Sequence, residues 1–155
     1  MYVFDTSPLS ALFKNYYRRR FPTLWNRFDG LVAEGLILST REVRRECMDG
    51  PVEVLRDWAD GIDGFFHTPG ASEGAFVGQI YSIPHFQQNI EQRKLLKGGR
   101  NADPFVIAKA ATDGCRVVTL EEFKPNGAKI PNICQHFGIE CLSLEEFMER
   151  EGWEF

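Results

Sequence analysis

Short apolar runs alternate with longer amphipathic segments along this 155-residue chain. The short runs are typical of buried β-strands; they span residues 2–5, 36–38, 116–119 and 139–142. The longer segments carry apolar residues at helical spacing and predict helices over residues 8–16, 22–34, 40–48, 52–60, 73–82, 86–97, 104–113 and 131–137. Strands separated by helices favour a parallel sheet with right-handed crossovers. We therefore expect a three-layer α/β/α fold with a central parallel sheet.

Local signals place the helix ends. Ser7 is predicted to cap the first helix, with Pro8 at its first position. Ser39 and Glu42 have the spacing of a capping box that opens helix 40–48. Ser143 and Glu146 repeat that spacing, and they predict one more helix at the end of the chain.

Composition limits the class of protein. With 43% hydrophobic and 26% charged residues, the chain predicts a single globular domain over residues 1–155. It contains no apolar run of the roughly 20 residues that cross a bilayer. The N-terminus begins directly with a strand, which favours a cytoplasmic protein. The four cysteines form no Cys-x-x-Cys pair, so reduced core thiols are a better interpretation than zinc ligands or disulfides.

Four acidic residues are expected to meet at one edge of the sheet. Asp5 and Glu121 follow strands, and ligand sites of parallel sheets gather at the carboxyl ends of strands. Asp103 opens the helix that runs back to the strand before Glu121, which places it at the same edge. Glu46 lies three residues beyond Val43, on the inward side of its helix.

Each acid also has a structural interpretation. Asp5 fits an Asx turn, and Asp103 before Pro104 fits a helix N-cap. Glu42 is explained by the capping box, so Glu46 is the preferred acid of that helix. Glu121 is preferred to its neighbour Glu122.

Carboxylates that converge repel each other unless a hard cation lies among them. Mg²⁺ and Mn²⁺ take oxygen ligands, and such sites mostly perform phosphoryl-transfer chemistry. The pattern therefore predicts a Mg²⁺ or Mn²⁺ site formed by these acids.

The charge pattern bears on nucleic-acid binding. A net charge of −4 argues against binding through bulk charge, because nucleic-acid binders are more often basic. Basic residues nevertheless cluster locally, and each cluster is either a solvated face or a phosphate contact. They are Arg18, Arg19 and Arg20 after two tyrosines, then Arg93, Lys94, Lys97 and Arg100, and finally Lys124 and Lys129.

These motifs resemble those of the PIN-domain family of metal-dependent ribonucleases. The run Tyr2-Val-Phe-Asp5-Thr-Ser is similar to the first strand and first acid of that family. Val43-x-x-Glu46, Asn101-Ala-Asp103-Pro-Phe-Val-Ile-Ala108 and Val117-Val-Thr119-x-Glu121 are similar to the segments that bear the other three. Finer details resemble the DUF4411 branch. They are the Ala-Asp-Pro-Phe-Val-Ile-Ala run, the segment from Lys129 and the ending Glu-Gly-Trp-Glu-Phe.

The resemblance implies a single PIN-like domain that hydrolyses RNA through Mg²⁺ or Mn²⁺ held by Asp5, Glu46, Asp103 and Glu121. Thr6 and Thr119 would orient a carboxylate or a water molecule. Arg18, Arg19, Arg20, Lys97 and Arg100 are candidate contacts to nucleic acid. The resemblance also implies two partners, a cognate antitoxin protein and a second copy of the chain. It implies no membrane partner.

Some features depart from the family or leave alternatives open. Glu121 stands where the family usually has aspartate. The acidic net charge keeps open a catalytically weak interaction module with the same fold. DNA is an alternative substrate, because carboxylates do not recognise the 2′-hydroxyl. An aspartyl-phosphate enzyme is a further alternative, although the first strand lacks an Asp-x-Asp pair.

Overall fold

The computed structural model describes residues 1–91 and 101–155. The strands are β1 (Tyr2–Phe4), β2 (Ile37–Thr40), β3 (Phe66–His67), β4 (Arg116–Val118) and β5 (Cys141–Leu142). The helices include α1 (Thr6–Asn15), α2 (Pro22–Ala33), α3 (Arg41–Asp49), α4 (Glu53–Gly61), α5 (Ala71–Tyr81), α6 (Asp103–Asp113), α7 (Ile130–Phe137) and α8 (Leu144–Arg150). A 3₁₀ turn spans Pro84–Phe86, and residues 87–91 are helical. The rest of the predicted helix 86–97 lies outside the described residues.

The strands form one parallel sheet in the order β3-β2-β1-β4-β5. The chain first moves outward from β1 to β3 and then returns to the other side of β1. Right-handed crossovers therefore put the helices between β1 and β3 on one face and those between β3 and β5 on the other. The helix contacts agree, since α4 packs on α1 and α3 while α6 packs on α5 and α7. The predicted three-layer α/β/α fold is confirmed.

Strand β3 was missed by the sequence analysis. It has only two residues, and both are half-buried rather than alternating between a buried and an exposed face. Its place at the sheet edge is fixed by pairing, because Ser39 and Thr40 of β2 lie opposite Phe66 and His67. Pairing with a distant strand leaves no local periodicity to detect.

Two of the predicted helix caps differ from the structure. Helix α1 begins at Thr6 with Asp5 at the N-cap, so Ser7 lies inside the helix. Helix α3 is capped by Thr40, whose hydroxyl accepts from the Val43 N–H, and Ser39 belongs to β2. The predicted Ser39–Glu42 capping box is therefore wrong. The predicted Ser143–Glu146 capping box is confirmed at the start of α8.

Aromatic side chains form much of the core between α1, α2 and α4. The ring of Phe13 lies 4.7 Å from that of Trp25 and 5.0 Å from that of Trp58, measured between centroids. Phe28 is fully buried against the same group. Burial of such a ring contributes about 1.5–3 kcal/mol, which anchors these helices to the sheet.

The cysteines are all free thiols, and Cys47, Cys115 and Cys134 are buried in the core. Burial and nearby carboxylates raise the pKa of Cys47 to about 12, so its thiol stays protonated. Among the described residues, none of the helices has the length and apolar character needed to cross a membrane.

Candidate active site

The sheet order creates a switch point between β1 and β4, where the connections leave in opposite directions. In open parallel sheets, ligands bind beyond the carboxyl ends of the strands at this point. Asp5 follows β1 directly, and its N–H donates to the Val118 carbonyl of β4 at 2.9 Å. The candidate site therefore lies at the junction of the two central strands.

Asp5 is held by hydroxyl groups from both sides of this junction. Its Oδ2 atom accepts from the Thr119 hydroxyl at 2.9 Å and from the Ser7 hydroxyl at 3.3 Å. Ser7 accepts in turn from the Leu120 N–H at 3.0 Å. The carboxylate is only 5% exposed, so its orientation is fixed by these contacts.

The other three acids act electrostatically on Asp5. The pKa of Asp5 is raised from 3.8 to about 7, first by burial and then by the carboxylates of Asp103 and Glu121. Glu46 adds a smaller contribution in the same direction, and a backbone hydrogen bond from Thr6 opposes the rise. The structure thus brings the other three predicted acids within electrostatic reach of Asp5. Within residues 1–91 and 101–155, however, His, Cys, Asp and Glu form no group of three or more that is ready to hold a metal ion.

Asp103 is the first residue of α6 and is 1% exposed. Its Oδ2 atom accepts from the side-chain amide of Asn89 at 3.0 Å. The same Asn89 amide nitrogen donates to the Ala128 carbonyl at 3.0 Å. Asn89 is itself 3% exposed, so a buried amide links Asp103 to the loop that leads into α7.

Asn101 and Tyr81 complete this network. The side-chain amide of Asn101 donates to Asn89 Oδ1 and to the Tyr81 hydroxyl, and its Oδ1 atom accepts from the Asp103 N–H at 3.1 Å. The sequence analysis assigned no role to Asn89 or Tyr81. A signal was present only for Asn101, which stands two residues before Asp103 in the motif.

Glu46 and Glu121 approach the site from α3 and from the segment after β4. Glu46 accepts a short hydrogen bond from the Thr6 hydroxyl, 2.5 Å long. The N–H of Glu121 donates to Thr119 Oγ1, and its Oε2 atom accepts from the Ile130 N–H at 3.1 Å. Glu122 is exposed, so Glu121 is the acid of this pair that faces Asp5.

A cleft of about 650 Å³ opens beside these acids. Its lining residues include Glu42, Arg45 and Glu46 of α3, and Tyr81, Asn101 and Phe105 opposite them. Glu42 is 8% exposed, and its Oε1 atom accepts from Arg41. Its Oε2 atom is buried and has no hydrogen-bond partner in the part of the chain that the structure describes.

The first basic cluster lies away from the acids. Arg18, Arg19 and Arg20 follow the C-terminal end of α1, whereas Asp5 precedes its N-terminal end. A helix of this length is about 15 Å long. Arg18 is paired with Asp29 at 2.8 Å and lies 4.2 Å from the ring centroid of Trp25, while Arg19 and Arg20 are exposed.

The second basic cluster, which includes the candidate contacts Lys97 and Arg100, lies outside the described residues.

Comparisons with known proteins give one match to a family. A family model described as "Domain of unknown function (DUF4411)" matches residues 2–155. A search of curated proteins finds no match.

Proposed function

The chain belongs to the DUF4411 family, and we propose that it is a metal-dependent endoribonuclease of the PIN type. The observation that carries this proposal is the placement of buried Asp5 and Asp103 with Glu121 beyond the carboxyl ends of the central strands, where burial and then the other two carboxylates raise the pKa of Asp5. Cooperating groups with shifted pKa values at a sheet switch point are typical of catalytic sites. RNA hydrolysis is the reaction that the PIN resemblance of these four acids favours.

The donor set fits a hard divalent cation. All four acids offer carboxylate oxygens, and a bound cation would favour the ionised form of Asp5, which burial and the neighbouring carboxylates disfavour. Mg²⁺ keeps several waters and uses one or two carboxylates directly, which agrees with acids that do not already converge on one point. We assign Asp5 and Asp103 as direct ligands, with Glu46 and Glu121 acting directly or through water. A bound Mg²⁺ or Mn²⁺ supplies water activation and offsets negative charge on the phosphate.

The chain itself supplies preorganisation. Thr119 fixes Asp5, Thr6 fixes Glu46, and Asn89 fixes Asp103. Carboxylates that are already oriented need little rearrangement when substrate binds, which lowers the cost of reaching the transition state. The hydroxyl residues Thr6 and Thr119 therefore act as positioning residues in this proposal.

The test is cleavage of end-labelled single-stranded RNA with Mn²⁺, with Mg²⁺ and with EDTA. Asp5→Asn and Asp103→Asn proteins are purified in parallel, with the exposed Glu122→Gln variant as the matched acid control. We expect metal-dependent cutting that both aspartate variants lose and the control keeps. Cutting that survives in Asp5→Asn indicates a contaminating nuclease and contradicts the proposal. Single-stranded DNA of the same sequence, run as a further arm, determines the class of nucleic acid.

A second candidate function is an interaction module with weak or absent catalysis. It is favoured by the lack of a ready-made group of three metal-binding side chains among the described residues, and by the net charge of −4. If calorimetry detects no binding of Mn²⁺ and no nucleic acid is cut, this candidate replaces the first. From the PIN resemblance we further propose two partners. One is an antitoxin protein that covers the acids, and the other is a second copy of the chain that forms a homodimer. Size-exclusion chromatography coupled to light scattering can test both.

A further inference from the structure

The cleft beside the acids has the size and the lining of a small-molecule binding site. Its volume of about 650 Å³ lies within the range of small-molecule sites, roughly 300–1,000 Å³. The walls include the apolar side chains of Val77, Ile90, Pro104 and Phe105, and a few polar groups lie among them. Glu46 lines both this cleft and the candidate active site, so a ligand in the cleft is adjacent to the acids.

Glu42 is the group in the cleft whose hydrogen bonding is incomplete. Its side chain is 9% exposed, and within the described residues its Oε2 atom has no partner. A buried polar atom left unpaired costs about 1–3 kcal/mol, and more when it is charged. The capping box that would have explained Glu42 is absent, because Thr40 caps α3. A ligand that donates hydrogen bonds removes this cost.

We propose that the cleft binds the guanine base of a single-stranded RNA, with Glu42 accepting hydrogen bonds from the base edge. The inference rests on the proposed function, since it takes RNA as the ligand. A carboxylate only accepts hydrogen bonds, so it suits an edge made of donors. Guanine presents N1–H and the N2 amino group side by side. Adenine, cytosine and uracil each place an acceptor next to their donor, and a carboxylate repels that acceptor.

The surrounding groups fit the rest of a nucleotide. The terminal torsion of a glutamate rotates over a broad range at little cost, which lets Oε2 turn toward the cleft. Phe105 and the apolar wall offer a surface for the base plane, as in other single-strand sites. Arg45 is exposed on the same wall, one helical turn from Glu42, and supplies a cation for the phosphate.

The test measures binding without catalysis. Fluorescence anisotropy is recorded in EDTA with five-nucleotide single-stranded RNAs whose central base is guanine, adenine, cytosine, uracil or hypoxanthine, which is guanine without the N2 amino group. The proteins are wild type, Glu42→Gln and Arg45→Gln. Their matched controls are Glu53→Gln, an exposed acid of α4, and Arg27→Gln, an exposed arginine of α2.

We expect the wild type to bind the guanine RNA about tenfold more tightly than the adenine, cytosine or uracil RNA, the discrimination of a good base contact. Hypoxanthine should lose part of this preference, and Glu42→Gln should reduce it below about twofold. Arg45→Gln should weaken binding to every sequence equally, as a phosphate contact does. Neither control should change the affinities.

Equal affinity for all five RNAs, absence of binding, or an unchanged guanine preference in Glu42→Gln overturns the proposal. The comparison of guanine with hypoxanthine uses wild-type protein, so it does not depend on how a variant folds. The result is also separable from the proposed function. If Asp5→Asn loses metal-dependent cutting while the wild type binds all five RNAs with equal affinity, the nuclease proposal stands and the guanine site is rejected. If the wild type prefers the guanine RNA but cuts no RNA, the guanine site stands and the nuclease proposal is rejected.

Discussion

Two regions at opposite ends of α1 show how differently clustered charges behave in this fold. Before its N-terminal end, Asp5 meets acids from three distant parts of the chain. After its C-terminal end, three consecutive arginines form the densest basic run of the sequence. Arg18, the first of these arginines, pairs with Asp29 and stacks on Trp25, so it is occupied in holding α2 against α1.

The contrast separates two kinds of sequence signal. The acids lie far apart in sequence, and the parallel topology brings them to one edge. The arginines lie together in sequence, yet their first member is used by local structure. Convergence that depends on topology therefore indicates a site more strongly than a run of like charges.

The largest expected effect concerns activity. Asp5→Asn should reduce metal-dependent RNA cleavage by at least about 100-fold, because it removes a direct ligand of the proposed cation. Arg18→Gln should change the rate by less than about twofold if its role is structural. Initial rates on the same end-labelled RNA measure both. A larger loss in Arg18→Gln than in Asp5→Asn would reverse our interpretation of the two regions.

The next effect concerns stability at the acidic end. Asn89→Leu should lower the free energy of unfolding by about 3 kcal/mol, because Asp103 Oδ2 and the Ala128 carbonyl each lose a buried donor. Urea unfolding monitored by circular dichroism measures this change. The exposed neighbour Gln88 supplies the control, and Gln88→Leu should stay within about 0.5 kcal/mol of wild type.

A pH dependence should distinguish Asp5 from the arginines. Its folded pKa, about 7, lies above that of an unfolded aspartate, so the folded state binds more protons between pH 4 and 7. Stability should therefore fall as the pH rises through that window in EDTA. Asp5→Asn should flatten this dependence and add about 2 kcal/mol at pH 8. Mn²⁺ should stabilise the wild type and not the variant. Thermal unfolding at pH 4 and at pH 8, with and without Mn²⁺, measures both effects.

The smallest effect belongs to the basic end. Arg18→Gln should cost about 0.5–1 kcal/mol, because it removes a largely exposed ion pair and a cation–π contact with Trp25. Arg19→Gln should leave the unfolding midpoint unchanged, since Arg19 is exposed. Equal losses in the two variants would indicate that the cluster acts through its net charge rather than through Arg18.

Most of the fold was predictable because its signals are local. Gly114 ends α6 with a left-handed φ of 66°, as a glycine after a helical run predicts. The edge strand β3 was not predictable, because two residues carry no periodicity. The capping box at Ser39 was wrong because that residue is used by the sheet, where its hydroxyl donates to the Phe4 carbonyl at 2.6 Å.

The positions of the acids were predictable, and Thr6 and Thr119 were expected to orient a carboxylate, but the amide that supports Asp103 was not predicted. Asp5 and Glu121 were placed by the rule for strand ends, which needs only the order of elements. Asn89 was not identified, because an amide in an uncertain segment has no pattern that ties it to Asp103. Its role depends on a contact across 14 residues of chain, and such contacts follow from tertiary structure.

The central position of β1 has a consequence for synthesis of the protein. The residues of β4 that pair with β1, and the Thr119 hydroxyl that holds Asp5, each come 114 residues after their partners in the chain. A growing chain emerges from the ribosome N-terminus first, so Asp5 lacks these contacts until Thr119 has been made and has left the ribosome. The four acids therefore come together only after Glu121 has left the ribosome, and any shorter nascent chain lacks the complete acidic edge of the sheet.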